Sequence, residues 1–253
     1  MRFDRDTLKR FQFSKTNSIN INCSTCHKGV LSVVPDKFIK EKTAYVKASE
    51  KEDYFNGYDY EAKVCYLFMC NNRKCQEPYL AVGIEFEDIQ FEYDHRSGDS
   101  EEVEITTFRP LFFTPTVHIF NLHNSIPKSI ANELVKSFSL FFSDLSSAAN
   151  KIRISVELLM NEFNVPPSHY LDARIKEFEK THVDIAGKLL ATKIIGNSGS
   201  HVAEISKDDV IDAYEIMDYV LEELYTRKAR QAEVHTIAAN IVAKEKQRKK
   251  PQI

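Results

Sequence analysis

Hydrophobic and polar positions repeat with two different periods along the chain, and the period changes near residue 125. Before that position apolar residues alternate with polar ones, which is the period of a half-buried β-strand. After it they recur at every third or fourth position, which is the period of an amphipathic α-helix. The pattern predicts an α+β protein, with an N-terminal antiparallel β domain over residues 1–124 and a C-terminal α-helical bundle over residues 125–253.

The strand pattern is clearest in three segments of the first part. Residues 58–69 are rich in strand-forming side chains, and residues 79–86 alternate strictly. One face of this second segment carries Leu80, Val82, Ile84 and Phe86. The alternation then shifts by one residue, which predicts a bulge near Glu87 and Asp88. With a further strand over 103–107, the segments are typical of an antiparallel meander.

The second part contains start and stop signals for five helices. Pro127 and the sequence Ser206-Lys207-Asp208-Asp209, which resembles a capping box, are start signals, and Pro166-Pro167 is a stop signal. The fifth helix shows the apolar spacing of a bundle helix, with Val210, Tyr214, Met217, Leu221 and Leu224. Beyond Arg227 the apolar stripe thins, so we expect a projecting or frayed end with a basic tail.

Four of the five cysteines form two pairs at chelating spacing: Cys23 with Cys26, and Cys70 with Cys75. The second pair lies between two predicted strands, as a knuckle does in a β-hairpin. Four thiolates around Zn²⁺ make a closed tetrahedral site that contributes folding energy directly. We therefore predict a structural zinc in a zinc-ribbon-like domain. A site in which His27 replaces one sulfur, or a set of unrelated free thiols in a reducing cytosol, is the alternative.

A line of polar residues runs along the fourth predicted helix. Lys193, Asn197 and His201 are four residues apart and therefore stack on one face. The same helix contains Gly196, although a glycine costs a helix about 1 kcal/mol relative to alanine. Glycine at such a position usually lets another group approach closely. The line is therefore a candidate site.

Two stretches of the helical part resemble a known family. The segment AANKIRISVELL (148–159) and the segment IIGNSGSH (194–201) resemble a bacterial domain of unknown function, family number 4145. That family looks like a branch of the HEPN superfamily of small helical bundles, and its members often carry an N-terminal cysteine-pair zinc module. The resemblance implies a HEPN-like bundle, a homodimer formed through its helices, and a role in a prokaryotic defence or restriction system.

The resemblance also implies a site residue by residue. Active HEPN ribonucleases commonly carry Arg-Asn-x-x-x-His, in which the Arg and the His help the 2′-hydroxyl to attack the adjacent phosphate without a metal. Here Asn197 and His201 match the motif, but Gly196 stands where the Arg would be. A catalytically degenerate bundle is the leading interpretation. In the enzyme alternative, a metal-independent endoribonuclease would use His201 with Lys193 or Arg153 as the cation.

The same residues also allow a groove that binds a ligand or RNA, or a purely structural interpretation. In the structural interpretation, Asn197 and His201 would be buried polar residues that hold the helices together, and Arg153 and Glu157 would be their partners. Arg153 and Glu157 are also four residues apart on one helix, which is the spacing of an ordinary ion pair.

Composition narrows the function classes further. The chain has no run of eighteen apolar residues, so we expect no transmembrane helix and no membrane partner. A charged N-terminus without an apolar segment, together with an odd number of cysteines, predicts a cytoplasmic location. From residue 226 onward eight Lys and Arg side chains are compatible with contact to RNA or DNA. We expect an accessory protein that recognises nucleic acid or a partner protein, and a scaffold that bridges other subunits is the remaining alternative.

Overall fold

A computed structural model describes residues 5–14, 20–52, 60–93, 100–198 and 205–248. In these ranges the first part of the chain contains strands β1 (Phe13–Ser14), β2 (Ile21–Asn22), β3 (Val30–Lys42), β4 (Glu61–Cys70), β5 (Pro78–Tyr93) and β6 (Ser100–Thr114), with helices α1 (Arg5–Lys9) and α2 (Ala44–Ser49). The second part contains α3 (Lys128–Leu140), α4 (Leu145–Glu162), α5 (Leu171–Glu179), α6 (Val183–Ser198), α7 (Lys207–Leu221), a π-helical turn (Glu222–Thr226) and α8 (Arg227–Arg248). The α+β class is confirmed.

The strands form one antiparallel sheet in the order β1-β6-β5-β4-β3-β2. Strands β2 to β6 follow one another as a meander, as predicted, and β1 pairs with β6 at the other edge. The sequence pattern did not predict β3, because half of this strand is polar. Its partner β4 holds it in register except between Val33 and Phe38, where the ladder shifts.

The predicted bulge near Glu87 and Asp88 is wrong. Strands β5 and β6 pair through both residues without a shift, and the irregularity falls instead between Val82 and Gly83. Gly83 is paired with Pro110 of β6. Proline has no N–H to donate to the ladder, so an irregular register beside it is expected.

The predicted alternation along β5 is correct, but its apolar positions lie on the more exposed face. Leu80 and Val82 are 43% and 44% exposed, whereas Tyr79, Ala81 and Glu85 are buried. Along β5 the inward face therefore carries one aromatic ring and one carboxylate, and the more exposed face carries aliphatic side chains.

The helix signals are confirmed where the structure describes them. Helix α3 begins directly after Pro127, and α7 begins with a full capping box. In this box the backbone N–H of Asp209 donates to Ser206 Oγ at 3.1 Å, and the backbone N–H of Ser206 donates to Asp209 Oδ2 at 2.9 Å. The apolar positions predicted for the fifth helix are all buried. Among the described residues, each helix is too short or too polar to cross a membrane.

The two parts share one apolar core. The ring of Phe142, which follows α3, lies 4.9 Å from that of Phe11 and 5.3 Å from that of Phe113 on β6. Helix α1 adds ion pairs to α7, from Arg5 to Asp212 and from Lys9 to Asp208. The predicted division at residues 124 and 125 stays a prediction, because the core runs across it.

Helix α8 projects from this core. It continues α7 through the π-helical turn, and its residues from Arg230 to Glu245 are exposed. Three of its four exposed large apolar side chains, Val234, Ile237 and Ile241, are 55%, 58% and 63% exposed, and the fourth is Val242. The spacing of Val234, Ile237 and Ile241 places them on one side of the helix, and we refer to these three residues as the α8 stripe.

Candidate metal centre

Two turns of the sheet bring four cysteines together. Cys23 and Cys26 lie between β2 and β3. Cys70 is the last residue of β4, and Cys75 lies in the turn between β4 and β5. The four Sγ atoms all lie within 4.8 Å of one another. Cys23 Sγ is 3.8 Å from Cys75 Sγ, and Cys26 Sγ is 3.7 Å from Cys70 Sγ. Sulfurs at about 2.3 Å from zinc in a tetrahedron are about 3.8 Å apart, so the spacing suits Zn²⁺.

Both turns end in the same way. The residues that directly follow the second cysteine of each pair, His27 and Gln76, adopt positive φ values of 53° and 50°. The N–H of His27 donates to the carbonyl of Cys23 at 2.9 Å, and the N–H of Gln76 donates to the carbonyl of Asn72 at 3.0 Å. The backbone therefore doubles back at each pair, which lets all four sulfurs converge.

The two turns also interlock. Asn71 donates its backbone N–H to the carbonyl of Val30 at 3.0 Å, and its side-chain oxygen accepts from the N–H of Val30 at 2.9 Å. Gly29 lies so close to Cys70 that a Cβ at this position would overlap the sulfur. Glycine is therefore needed where the first turn crosses the second.

The surroundings of the sulfurs favour a metal-binding thiolate. Backbone N–H groups of Lys28 and Gly29, with the side-chain amide of Asn72, lower the pKa of Cys26 to about 6. Burial raises the pKa of the Cys70 thiol to about 12, so this thiol does not ionise at neutral pH by itself. A divalent cation supplies the charge that makes four adjacent thiolates stable. The donor set and its hydrogen bonds therefore fit zinc.

The other candidate ligands do not join this group. Among the described residues the cluster consists of the four sulfurs, and the ring of His27 lies instead 5.9 Å from the ring of His118. Cys65 pairs in register with Ile39 and Val82, whose side chains are on the exposed face of the sheet. Its sulfur is thus separated from the cluster by the sheet.

The two candidate cations of the helical part are both ion-paired. Lys193 Nζ lies 2.9 Å from Asp172 Oδ1, and the Lys193 side chain is only 17% exposed. Arg153 Nη2 lies 2.7 Å from Glu157 Oε1, four residues along α4. The sequence did not predict Asp172, because it is on α5 and meets α6 only through the tertiary fold.

At Gly196 helix α6 lies tightly against α4. A Cβ at this position would lie 2.6 Å from Arg153 Cβ and 3.1 Å from the carbonyl oxygen of Ala149. Every residue larger than glycine begins with that Cβ. A side chain therefore fits at this position only if the two helices move apart.

The structure does not describe the side chains of the two remaining residues of the candidate helical site. Asn197 lies in α6, but its side chain is not described, and His201 lies in the segment 199–204. Their roles in a polar network or in catalysis stay predictions.

Two family models match the chain, one in each part. Residues 135–246 match the family described as Domain of unknown function (DUF4145), and residues 11–113 match the family described as Domain of unknown function (DUF8608). Neither the curated proteins nor the solved structures include a match. The helical part is thus similar to the family numbered 4145, and the β part is similar to a second family of unknown function.

Proposed function

We propose that the protein is an accessory binding protein without hydrolytic activity, built from a zinc-ribbon-like β part and a catalytically degenerate HEPN-like bundle. The observation that carries the non-catalytic role is the contact of Gly196 with Arg153, at the position where an active motif has its arginine. Without a free cation near the phosphate, the transition state loses its main electrostatic stabilisation. Lys193 and Arg153 are poor substitutes, because each already neutralises a carboxylate.

The zinc in this proposal is structural. Cys23, Cys26, Cys70 and Cys75 would hold it, and four sulfur ligands leave no position for a water molecule. When bound, the ion contributes folding free energy and fixes the two turns against each other.

The binding role includes self-association. The α8 stripe exposes apolar side chains on a helix that projects from the core, which supports a homodimer formed through the helical part. We further propose that the dimer recognises nucleic acid or a partner protein in a prokaryotic defence or restriction system, in the cytoplasm. This last step rests on the resemblance to HEPN-like proteins.

Incubation of the purified, zinc-loaded protein with RNA tests the non-catalytic role. We expect no cleavage above background, and the same result for His201→Ala. Cleavage by the wild type that disappears in His201→Ala would establish the ribonuclease alternative instead. Lys193→Met and Arg153→Met would then identify the cation.

Metal analysis tests the zinc centre separately. We expect about one zinc per chain, because four thiolates complete one tetrahedral site. Cys70→Ser should lose the metal, and Cys65→Ser, on the other face of the same strand, should keep it. Equal zinc content in the two variants would contradict the assignment of the ligands.

A further inference from the structure

A large cavity opens on the inward face of the sheet. Its volume is about 730 Å³, within the range of about 300–1,000 Å³ that small-molecule sites occupy. Five aromatic side chains line it: Phe13, Phe38, Tyr66, Phe68 and Phe108. These rings contact one another, as the ring of Tyr66 does with Phe108 at 4.9 Å and with Phe38 at 5.7 Å.

The cavity has a charged group in its wall. Glu85 is only 3% exposed, and among the described residues its carboxylate forms an ion pair with Lys40 and accepts a hydrogen bond from the hydroxyl of Tyr66. The side chain of Lys40 is 32% exposed, so the pair joins a buried carboxylate to an ammonium group that reaches the surface. The ammonium group is therefore the charged group of this wall that a ligand can contact.

The polar group defines the charge and the hydrogen bonds of a ligand. Lys40 and Glu85 cancel in charge, so an uncharged molecule can enter without leaving an unpaired ion. The buried carboxylate is bonded to Lys40 and Tyr66, whereas the ammonium group of Lys40 has three donors and can bond to a ligand in addition to its contacts with Glu85 and Tyr60. A matching ligand has a hydrogen-bond acceptor on one edge.

The shape of β3 gives access to this wall. Its register with β4 shifts between Val33 and Phe38, and Asp36 between them has a positive φ of 57°. Phe38 lines the cavity and is nevertheless 51% exposed, which places it at the mouth. A flat molecule that enters beside Phe38 would contact its ring.

We infer that this cavity binds a planar, uncharged heteroaromatic ring with a hydrogen-bond acceptor on its edge, as a nucleobase has. The ring contacts Phe38 at the mouth, and the acceptor on its edge receives a hydrogen bond from Lys40. The base can come from a free nucleoside or from a single strand of nucleic acid. The inference rests on the proposed binding role, to which it gives a ligand class.

Calorimetric titration of the zinc-loaded protein tests this inference. The probes are guanosine, adenosine, cytidine and uridine, together with unstructured single-stranded oligonucleotides of the same bases. We expect at least one base to bind. Binding of the nucleoside identifies a free ligand, and binding of the oligonucleotide alone identifies a base within a strand.

Two variants and a matched control link binding to the cavity. Phe38→Ala should weaken binding about tenfold through lost stacking, and Lys40→Met should weaken it by a similar factor. Ile39→Ala is the control, because Ile39 is adjacent to both but is 72% exposed on the opposite face of β3. Thermal unfolding of each variant separates a loss of affinity from a loss of fold. Phe38→Ala should keep the fold, because it removes a side chain that is 51% exposed.

Two results would overturn the inference. The first is that neither nucleosides nor oligonucleotides bind the wild-type protein. The second is that they bind equally well to Phe38→Ala and to Ile39→Ala. Either result would leave the zinc content and the absence of RNA cleavage unchanged, so the proposed function would survive the failure of this ligand class.

Discussion

At the scale of single residues, Gly196 decides how the helical motif is to be understood. In the proposed HEPN-like motif it stands in place of an arginine, which indicates only that a cation is missing. In the structure the same glycine allows α6 to lie against Arg153 and Ala149 of α4. Gly196 is therefore part of the packing of the bundle, in addition to its place in the proposed motif.

Substitution of two glycines in α6 separates this contact from helix propensity. Gly196→Ala should lower the free energy of unfolding by about 1–3 kcal/mol, because the new methyl group overlaps Arg153. Gly187→Ala is the control, since nothing lies within 4 Å of a Cβ at that position. Alanine there should stabilise the protein by about 0.4–1 kcal/mol.

Urea denaturation measures both effects. If Gly196→Ala gained as much stability as Gly187→Ala, α6 and α4 would not be in the tight contact described above. The proposed reason for the missing arginine would then fail as well.

Contacts between residues that are close in sequence could be predicted, whereas contacts between residues that only the fold brings together could not. Cys23 and Cys26 are three positions apart, so their spacing alone indicates chelation. The ion pair of Lys193 with Asp172 joins different helices, and the pair of Lys40 with Glu85 joins different strands. Neither pair has a sequence signature, because only the tertiary fold brings the partners together.

At the scale of elements, the helices were predictable and the strands only partly so. A helix of the bundle buries one stripe, and the 3–4 spacing of apolar residues in α7 shows which one. The sheet carries apolar side chains on both faces, so the alternation along β5 marked a strand without showing which face is buried. β3 has the charged run Lys40-Glu41-Lys42 at its end and gave no clear strand pattern.

Most of helix α8 is not covered by the other described elements, because its residues from Arg230 to Glu245 are exposed. Two copies that pair in an antiparallel manner would place Val234 of one copy opposite Ile241 of the other, and Glu233 near Lys244. Parallel pairing in register would instead place Arg230 against Arg230 and Lys244 against Lys244. Charge complementarity therefore favours the antiparallel arrangement.

A charge in the α8 stripe should weaken the proposed dimer. Ile237→Glu places a carboxylate in the centre of the apolar contact, and the loss of one buried isoleucine alone raises the dissociation constant at least about tenfold. Ala243→Glu adds the same charge on the opposite side of the helix and should have little effect. Sedimentation equilibrium of the two variants measures the difference, and equal dissociation constants would show that the stripe is not the interface.

At the scale of the whole molecule, the metal centre is connected to the helices. Ser24, between two of the cysteines, accepts a hydrogen bond from the backbone N–H of His118 at 2.7 Å. The ring of His118 lies 5.7 Å from that of Phe138 on α3. These two contacts join the turn that carries Cys23 and Cys26 to helix α3.

Removal of zinc by a chelator should thus destabilise helices as well as turns. We expect faster amide hydrogen exchange in α3 and α7 after chelation, because both helices share the apolar core with the β part. Amides in the exposed part of α8 should exchange at an unchanged rate. If α3 and α7 kept their protection while β2, β3 and β4 lost theirs, the two parts would be independent folding units.

The π-helical turn at 222–226 sets the direction in which the α8 stripe points. A π turn has one residue more than an α-helical turn, so it rotates every following side chain by about 100° around the helix axis. The α8 stripe points where it does because of that extra residue. Removal of one residue from the turn would leave the stripe intact but aim it at another side of the bundle. In the proposed dimer, the length of this turn would therefore set the angle between the two copies separately from how strongly they bind.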